Sequence, residues 1–184
     1  MLIFLIPFIS CCNRFGYNSV IHEGIGVDNY SIQNLKTVSI KNKLGQNYVL
    51  INHLDYSGEL LYKKYGVSFY YLVSKPTEIF SIALNSNYKG KTSKGFVIQK
   101  MTVNDLVRIY GKPRWNRLKD AIYAHYDSLG VYFQINPIEA EPAEFNSYYT
   151  NDSAILKKMD SYYRRVYKNE KISEISVGLP KSDF

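Results

Sequence analysis

The chain has 184 residues, 46% of them hydrophobic and 21% charged, with 23 Lys and Arg against 16 Asp and Glu for a formal net charge of +7. This composition excludes an intrinsically disordered chain, and the length suffices to bury roughly 70% of the unfolded surface, so a core needs neither disulfide nor metal. The positive charge is scattered, with no basic run longer than the pairs Lys63-Lys64, Lys157-Lys158 and Arg164-Arg165, which argues for solubility and against a nucleic-acid footprint.

The first residues are MLIFLIPFISCCN, with an apolar run from Leu2 to Ile9 broken only by Pro7. A bilayer span needs roughly 20 residues, so the run is too short to cross. It ends at a small residue, Ser10, directly before Cys11 and Cys12, the only two cysteines. That order resembles a bacterial lipoprotein signal. The resemblance implies a leader over residues 1–11 with Cys11 as lipid anchor, a linker over 12–22, and a place in the cell envelope. Departures from the pattern are the absence of Lys or Arg before the run and Phe8 where Leu is usual. Two or three acyl chains, at about 0.8 kcal/mol per buried methylene, hold a protein to a membrane without a span. With no cysteine elsewhere, a disulfide scaffold, a thiolate metal site and a cysteine nucleophile are excluded beyond the leader.

From Gly24 onward the chain resembles itself. GIGVDNYSIQNL (Gly24 to Leu35) lies over GFVIQKMTVNDL (Gly95 to Leu106) at an offset of 71, which matches Ser31 to Thr102 and predicts each as the N-cap of a helix. YGVSFYYL (Tyr65 to Leu72) lies over LGVYFQI (Leu129 to Ile135) at an offset of 64, and IFSIAL (Ile79 to Leu84) over ISEISV (Ile172 to Val177) at 93. Three blocks in one order predict two divergent repeats, residues 23–92 and 93–184. The offsets place an insertion of 29 residues (93 minus 64) between Asn136 and Glu170 of the second copy.

In copy one, strands are expected near Asn47 to His53, Leu60 to Lys64, Val67 to Val73 and Ile79 to Leu84. Those of copy two fall near Ala121 to Tyr126, Val131 to Asn136 and Ile172 to Val177. DYSG (Asp55 to Gly58) and DSLG (Asp127 to Gly130) are turn sequences. The insertion begins with a proline-containing acidic stretch that suits a loop. A helix near 153–167 follows: Ile155, Met159, Tyr162 and Val166 recur at helical spacing, and Asn151, Asp152 or Ser153 can cap it. Helices followed by antiparallel strands, twice over, predict an α+β fold.

The stretch from Gly95 to Pro113 has the form G-x-x-I-x-x-M-T-x-x-D-L-x-x-x-Y-G-K-P. With the strand pair after it, it resembles the SmpA/OmlA outer-membrane group and its relative the β-lactamase inhibitory protein, a tandem helix-and-sheet duplication. Met101, Thr102, Asp105, Leu106, Gly111 and Pro113 carry the resemblance. It implies a non-enzymatic, cofactor-free domain that holds an envelope or secreted protein through its sheet and loops, in some relatives as an inhibitor.

Candidate site residues are few. His22, His53 and His125 lack HxxH or HExxH spacing, so no metal site is expected. HLD (His53 to Asp55) and HYD (His125 to Asp127) set an imidazole two residues from a carboxylate. No nucleotide-binding or serine-nucleophile motif is present. KPRWNRLK (Lys112 to Lys119) puts the only tryptophan, Trp115, among Lys112, Arg114, Arg117 and Lys119. Aromatic and basic side chains together suit an interface anchor. The 18 tyrosines suit strands with one wet face and also recognition surfaces. The leading expectation is therefore an envelope-anchored protein-binding module. An envelope polysaccharide or peptidoglycan binder is the second reading, and a hydrolase using His125 and Asp127 the third.

Overall fold

Strand alternation builds the molecule. The computed structural model describes residues 15–54, 56–118, 120–145 and 152–180. In chain order the elements are β1 (Val20–His22), β2 (Gly26–Val27), β3 (Tyr30–Ser31), α1 (Thr37–Leu44), β4 (Val49–His53), β5 (Ser57–Tyr62), β6 (Val67–Leu72) and β7 (Lys75–Asn85). They continue with β8 (Lys91–Thr92), α2 (Val103–Tyr110), β9 (Arg114–Leu118), β10 (Ala121–Tyr126), β11 (Val131–Ile135), α3 (Ser153–Val166) and β12 (Ile172–Gly178). Eight strands form one antiparallel sheet in the order β4-β5-β6-β7-β12-β11-β10-β9. A smaller sheet has the order β3-β2-β1-β8. The fold is α+β, as the succession of elements predicts.

Successive strand residues point to opposite faces, and one face of the large sheet carries the core. Leu60, Tyr62, Val67, Phe69, Ile82, Leu84, Ile122, Ala124, Phe133, Ile135, Ile175 and Val177 on that face are all buried. Every other element packs there. From α1 comes the buried Ile40, from α2 Val103 and Leu106, and from α3 Met159 and Tyr163. Tyr30 of the small sheet lies 6.0 Å from the Phe69 ring, and Tyr110 of α2 lies 5.1 Å from Phe133. Each such fully buried large side chain contributes about 1.5–3 kcal/mol, so this one-sided packing is the main source of stability.

Several local features of residues 32–84 recur in residues 98–177. In the first, a 3-10 turn at Ile32–Asn34 buries Ile32, Leu35 accepts from the Ile79 amide at 3.0 Å, and α1 follows. In the second, a 3-10 turn at Ile98–Lys100 buries Ile98, Met101 accepts from the Ile172 amide at 3.0 Å, and α2 follows. Each helix ends at a glycine, Gly45 or Gly111, with φ of +83°, a value that L side chains rarely adopt. Its carbonyl accepts a tyrosine hydroxyl from the neighbouring strand: Tyr62 to Gly45 at 3.0 Å and Tyr126 to Gly111 at 2.8 Å. The Val67–Leu84 and Phe69–Ile82 pairs of β6 and β7 have counterparts in Val131–Val177 and Phe133–Ile175 of β11 and β12.

This correspondence changes the offset of the first block. The equivalent helices lie 66 residues apart, so IQNLKTVSIKNKLG (Ile32 to Gly45) faces IQKMTVNDLVRIYG (Ile98 to Gly111). The offset of 71 matched Ser31 to Thr102, but Ser31 pairs with Gly26 in the small sheet and makes no side-chain cap. Lys36 occupies the N-cap of α1, also without a side-chain bond. Thr102 does cap α2. Its hydroxyl accepts from the Asp105 amide at 3.2 Å while the Asp105 carboxylate accepts from the Thr102 amide at 3.2 Å, a capping box. These bonds hold the Asp105 carboxyl below its ordinary range, with Arg108 adding to the effect.

Helix α3 follows its predicted span. Asp152 caps it, accepting from the Ala154 and Ile155 amides at 2.8 and 3.3 Å, and it packs on β9. Cys11, Cys12, Asp55, Lys119 and Asn151 lie outside the described residues.

Candidate functional site

Because the helices and the small sheet share one face, the opposite face of the eight strands carries no packed element among the described residues. Strand alternation and register assign its side chains. A first cross-strand row runs Leu61, Ser68, Ala83, Ser176, Tyr132, His125 and Arg114. On either side lie Glu59, Tyr70 and Ser81 and Asn85, Glu174, Gln134, Tyr123 and Asn116. An uncovered sheet of this size in a soluble antiparallel domain is ordinarily wet and polar. Here serine, asparagine and glutamine side chains are interspersed with tyrosine and histidine rings and with two carboxylates, Glu59 and Glu174.

The rings form two groups. Tyr70 stands 5.8 Å from the His53 ring and 6.4 Å from Phe80. Across the sheet, His125 stands 4.8 Å from Tyr132 and 6.0 Å from Tyr123. Two acids share this face, Glu59 on β5 and Glu174 on β12. Glu59 is buried, with its carboxylate accepting from the Ser68 hydroxyl at 2.6 Å and meeting His53 Nε2 at 2.8 Å. Glu174 accepts only a long bond, 3.4 Å, from Ser176 Oγ. Burial raises the Glu174 carboxyl, and the charge of Glu59 raises it further. Burial also raises the Tyr70 phenol, with Glu174 and Glu59 adding to it, and Tyr123 contributes as well. Tyr70 and Tyr123 sit on strands four steps apart, roughly 19 Å at the usual strand spacing.

The sequence-predicted anchor behaves differently. Trp115 is only 3% exposed, on the covered face of β9. Its indole N–H donates to Asp160 Oδ1 at 3.0 Å, and its ring lies 5.0 Å from Tyr163 of α3. The basic segment read as an interface anchor contains the edge strand β9, Arg114–Leu118, and its tryptophan holds helix α3 to the sheet. Lys112 meets Asp160 at 3.4 Å. Arg117 is largely buried, with Nε 2.8 Å from Glu141, and donates to the Ala121 carbonyl at 3.1 Å. Trp115 and Arg117 therefore serve packing and cannot anchor a partner, and Lys112 reaches the surface only as the rim of that packing.

Arg114 alone of the four belongs to the open face. Its Nε donates to Asp127 Oδ2 at 2.9 Å, and its Nη2 lies 3.3 Å from His125 Nδ1. The His125 and Asp127 side chains approach to 3.9 Å, so the second HYD pair is the outer part of an arginine-centred cluster. His53 belongs instead to the Glu59 group. Among the described residues no group of three or more His, Cys, Asp or Glu is placed to hold a metal, and no helix is long and apolar enough to cross a membrane.

Tyr70, Tyr123, Tyr132, Glu59 and Glu174, the groups that compose the open face, were not singled out by motif. The signal that finds them is strand alternation at the observed registers. Aligned at the observed registers, several covered positions match, Phe69 with Phe133, Tyr62 with Tyr126, Ile82 with Ile175 and Ile79 with Ile172, while Gly58 with Ile122 and Tyr71 with Ile135 do not. Open positions pair unlike with unlike: Glu59 with Tyr123, Ser68 with Tyr132, Tyr70 with Gln134, Ser81 with Glu174.

No family model and no curated protein matches the chain. Among solved structures, the crystal structure of the uncharacterized protein yfeY from Escherichia coli is similar at 13% identity and a TM-score of 0.49, over 88% of this chain and 99% of that one.

Proposed function

We propose that this chain is an extracytoplasmic, lipid-anchored, non-enzymatic module that binds a protein partner through the open face of its eight-stranded sheet. On this reading its halves descend from one duplicated unit, Cys11 carries the anchor, and the partner is an envelope or secreted protein. The observation that carries it is the difference between the two faces. Many positions that build the core match from one half to the other, Phe69 with Phe133 and Tyr62 with Tyr126 among them, whereas most open positions differ and include tyrosines, histidines and carboxylates. Tyrosine-rich, part-buried surface is what interface centres are made of. The resemblance to sheet-binding envelope modules points to the same surface. An inhibitor or immunity role is the specific form such binding would take.

The test is position-resolved photo-crosslinking in cells, with a photoreactive residue placed at Tyr70 or Tyr132 on the open face, or at Lys41 or Lys157 on the helices. Adducts to one and the same polypeptide from both sheet positions and from neither helix position support the reading. Adducts confined to the helix positions, to glycan, or to nothing overturn it. Labelling with a palmitate analogue that disappears in Cys11→Ser supports the anchor, and labelling that survives the substitution removes it.

A further inference from the structure

Basic residues that are scattered along the sequence are gathered by the fold. The exposed charged side chains of α1, α2 and α3 are Lys43, Arg108, Lys157, Lys158, Arg164 and Arg165, and all six are basic. The acids of these helices are turned to internal use: Asp105 closes the capping box with Thr102, and Asp160 is buried against Trp115. Helix α3 concentrates the charge. At about 3.6 residues per turn, Lys157, Lys158, Ser161, Arg164 and Arg165 fall within about one third of its circumference, opposite the buried Met159 and Tyr163. Lys168 and Lys171 follow, so residues 153–171 carry six basic side chains against Asp160 and Glu170, a net of +4 out of the chain's +7. The acids of the preceding loop are occupied: Glu139 accepts from the Tyr162 hydroxyl at 2.6 Å, Glu141 meets Arg117 at 2.8 Å and Glu144 meets Lys158 at 3.4 Å. The ion pairs of α3 among the described residues use Lys158, Asp160 and Arg164, which leaves Lys157, Arg165 and Lys168 without a counter-charge there.

We propose that this basic helical side, with α3 at its centre, lies against the surface of an anionic phospholipid bilayer. Three features fit that occupant. The first is charge: Lys and Arg side chains near an anionic leaflet are drawn to it within about a Debye length. The second is the kind of surface. Single-stranded nucleic acid is held where aromatic side chains stack on bases between basic ones, but here Tyr163 and Tyr167 are buried and the Tyr162 ring packs 5.4 Å from Phe145. What α3 presents outward is Lys, Arg and Ser. The third is where the chain enters the fold. The Phe15 ring lies 5.0 Å from Tyr30 and 6.3 Å from Phe69, on the covered side of the large sheet. On the anchor reading, the four residue steps from Cys11 to Phe15 span at most about 14 Å, which brings the bilayer to that side. A lipid anchor and a polybasic patch are two signals that together make attachment stable. The apolar stripe of α3 is already occupied by the core, so the contact is electrostatic. A bilayer on the helices leaves the opposite, open sheet face turned toward a partner, so the inference goes beyond the sheet-face reading and agrees with it.

The probes are vesicles of phosphatidylcholine alone and of phosphatidylcholine mixed equally with phosphatidylglycerol, read by co-sedimentation. The full chain carries Cys11→Ser, so no acyl group contributes. Binding is expected to be at least tenfold tighter to the anionic vesicles, and this preference is expected to vanish in 1 M salt, where the Debye length is about 3 Å. Each basic residue at an anionic leaflet is worth about fivefold in binding. Lys157→Gln with Arg165→Gln is therefore expected to weaken binding to the anionic vesicles at least tenfold. Lys63→Gln with Lys64→Gln removes the same charge from the exposed turn between β5 and β6 and is expected to leave binding nearly unchanged. Circular dichroism checks that both double variants fold, and the single variants Lys157→Gln and Arg165→Gln, at about fivefold each, decide the matter if the pair does not. Equal binding to both vesicles, or an equal loss in both double variants, overturns the proposal. Capture by heparin without capture by anionic vesicles assigns the helical side to a soluble polyanion and also overturns it. Failure of vesicle binding leaves the anchor to the palmitate labelling and the sheet face to the crosslinking, and failure of either of those leaves the vesicle result standing.

Discussion

Replacing Trp115 by alanine removes the side chain that ties α3 to the edge strand β9. The ring is buried, lies 5.0 Å from Tyr163 and donates to Asp160 at 3.0 Å. Deleting a buried aromatic side chain costs about 3–5 kcal/mol, and at roughly 2–4 °C per kcal/mol for a chain of this size the melting temperature should fall by about 6–20 °C. Asp160→Ala makes a smaller cut, because it leaves the indole N–H buried without its acceptor, at about 1–3 kcal/mol. The two substitutions touch one contact, so their effects should deviate from additivity by about 0.5–3 kcal/mol. Thermal unfolding followed by circular dichroism measures all three variants. Unchanged melting temperatures in both single variants, or strict additivity in the double variant, would refute the packing role and return Trp115 to the surface.

Other consequences are open to measurement. Thr102→Ala breaks the capping box of α2 and should cost about 1 kcal/mol, whereas Lys36→Ala at the uncapped start of α1 should leave helix stability nearly unchanged; urea unfolding compares them. Tyr62→Phe and Tyr126→Phe each delete one hydroxyl bond to a helix-ending glycine, and each should cost about 0.5–1.5 kcal/mol, with the effects adding in the double variant. A large inequality would show that the halves are not energetically equivalent. Glu174→Gln should raise the melting temperature at neutral pH. Burial lifts the folded-state Glu174 carboxyl above the ordinary glutamate value of 4.5, so the fold favours its protonated form, and wild-type stability falls as pH rises through the lifted value. The advantage of glutamine should therefore vanish below about pH 4.5, where the wild-type side chain is neutral in both folded and unfolded states. An advantage that persists there would mean the gain has another cause.

Much of the fold was legible because its strands alternate. The six residues of β10 and the five of β11 stand where apolar periodicity and the Asp127 to Gly130 turn place them. Helix α3 was visible through its stripe and its Asp152 cap. The start of α1 was not, because Lys36 offers no capping signal and the hydroxyl that looked like one, Ser31, is used by the small sheet. β9 was hidden by its composition. Arg114, Asn116 and Arg117 make Arg114–Leu118 look like a basic loop, and only tertiary pairing with β10 shows that Trp115 alternates inward. The open face was illegible for a related reason. A tyrosine that fills a core and a tyrosine that lines a surface are the same letter, and only the register of eight strands separates Tyr62 from Tyr70.

The central claim, that a protein partner sits on the open sheet face, is tested most directly by affinity for the crosslinked partner after Tyr70, Tyr123 and Tyr132 are replaced together by serine. The account predicts a folded protein whose binding is lost, beside a helix-surface control, Lys41→Ser with Lys157→Ser, whose binding is kept. Binding that survives loss of the three tyrosines, or that is lost instead in the helix-surface control, would contradict it.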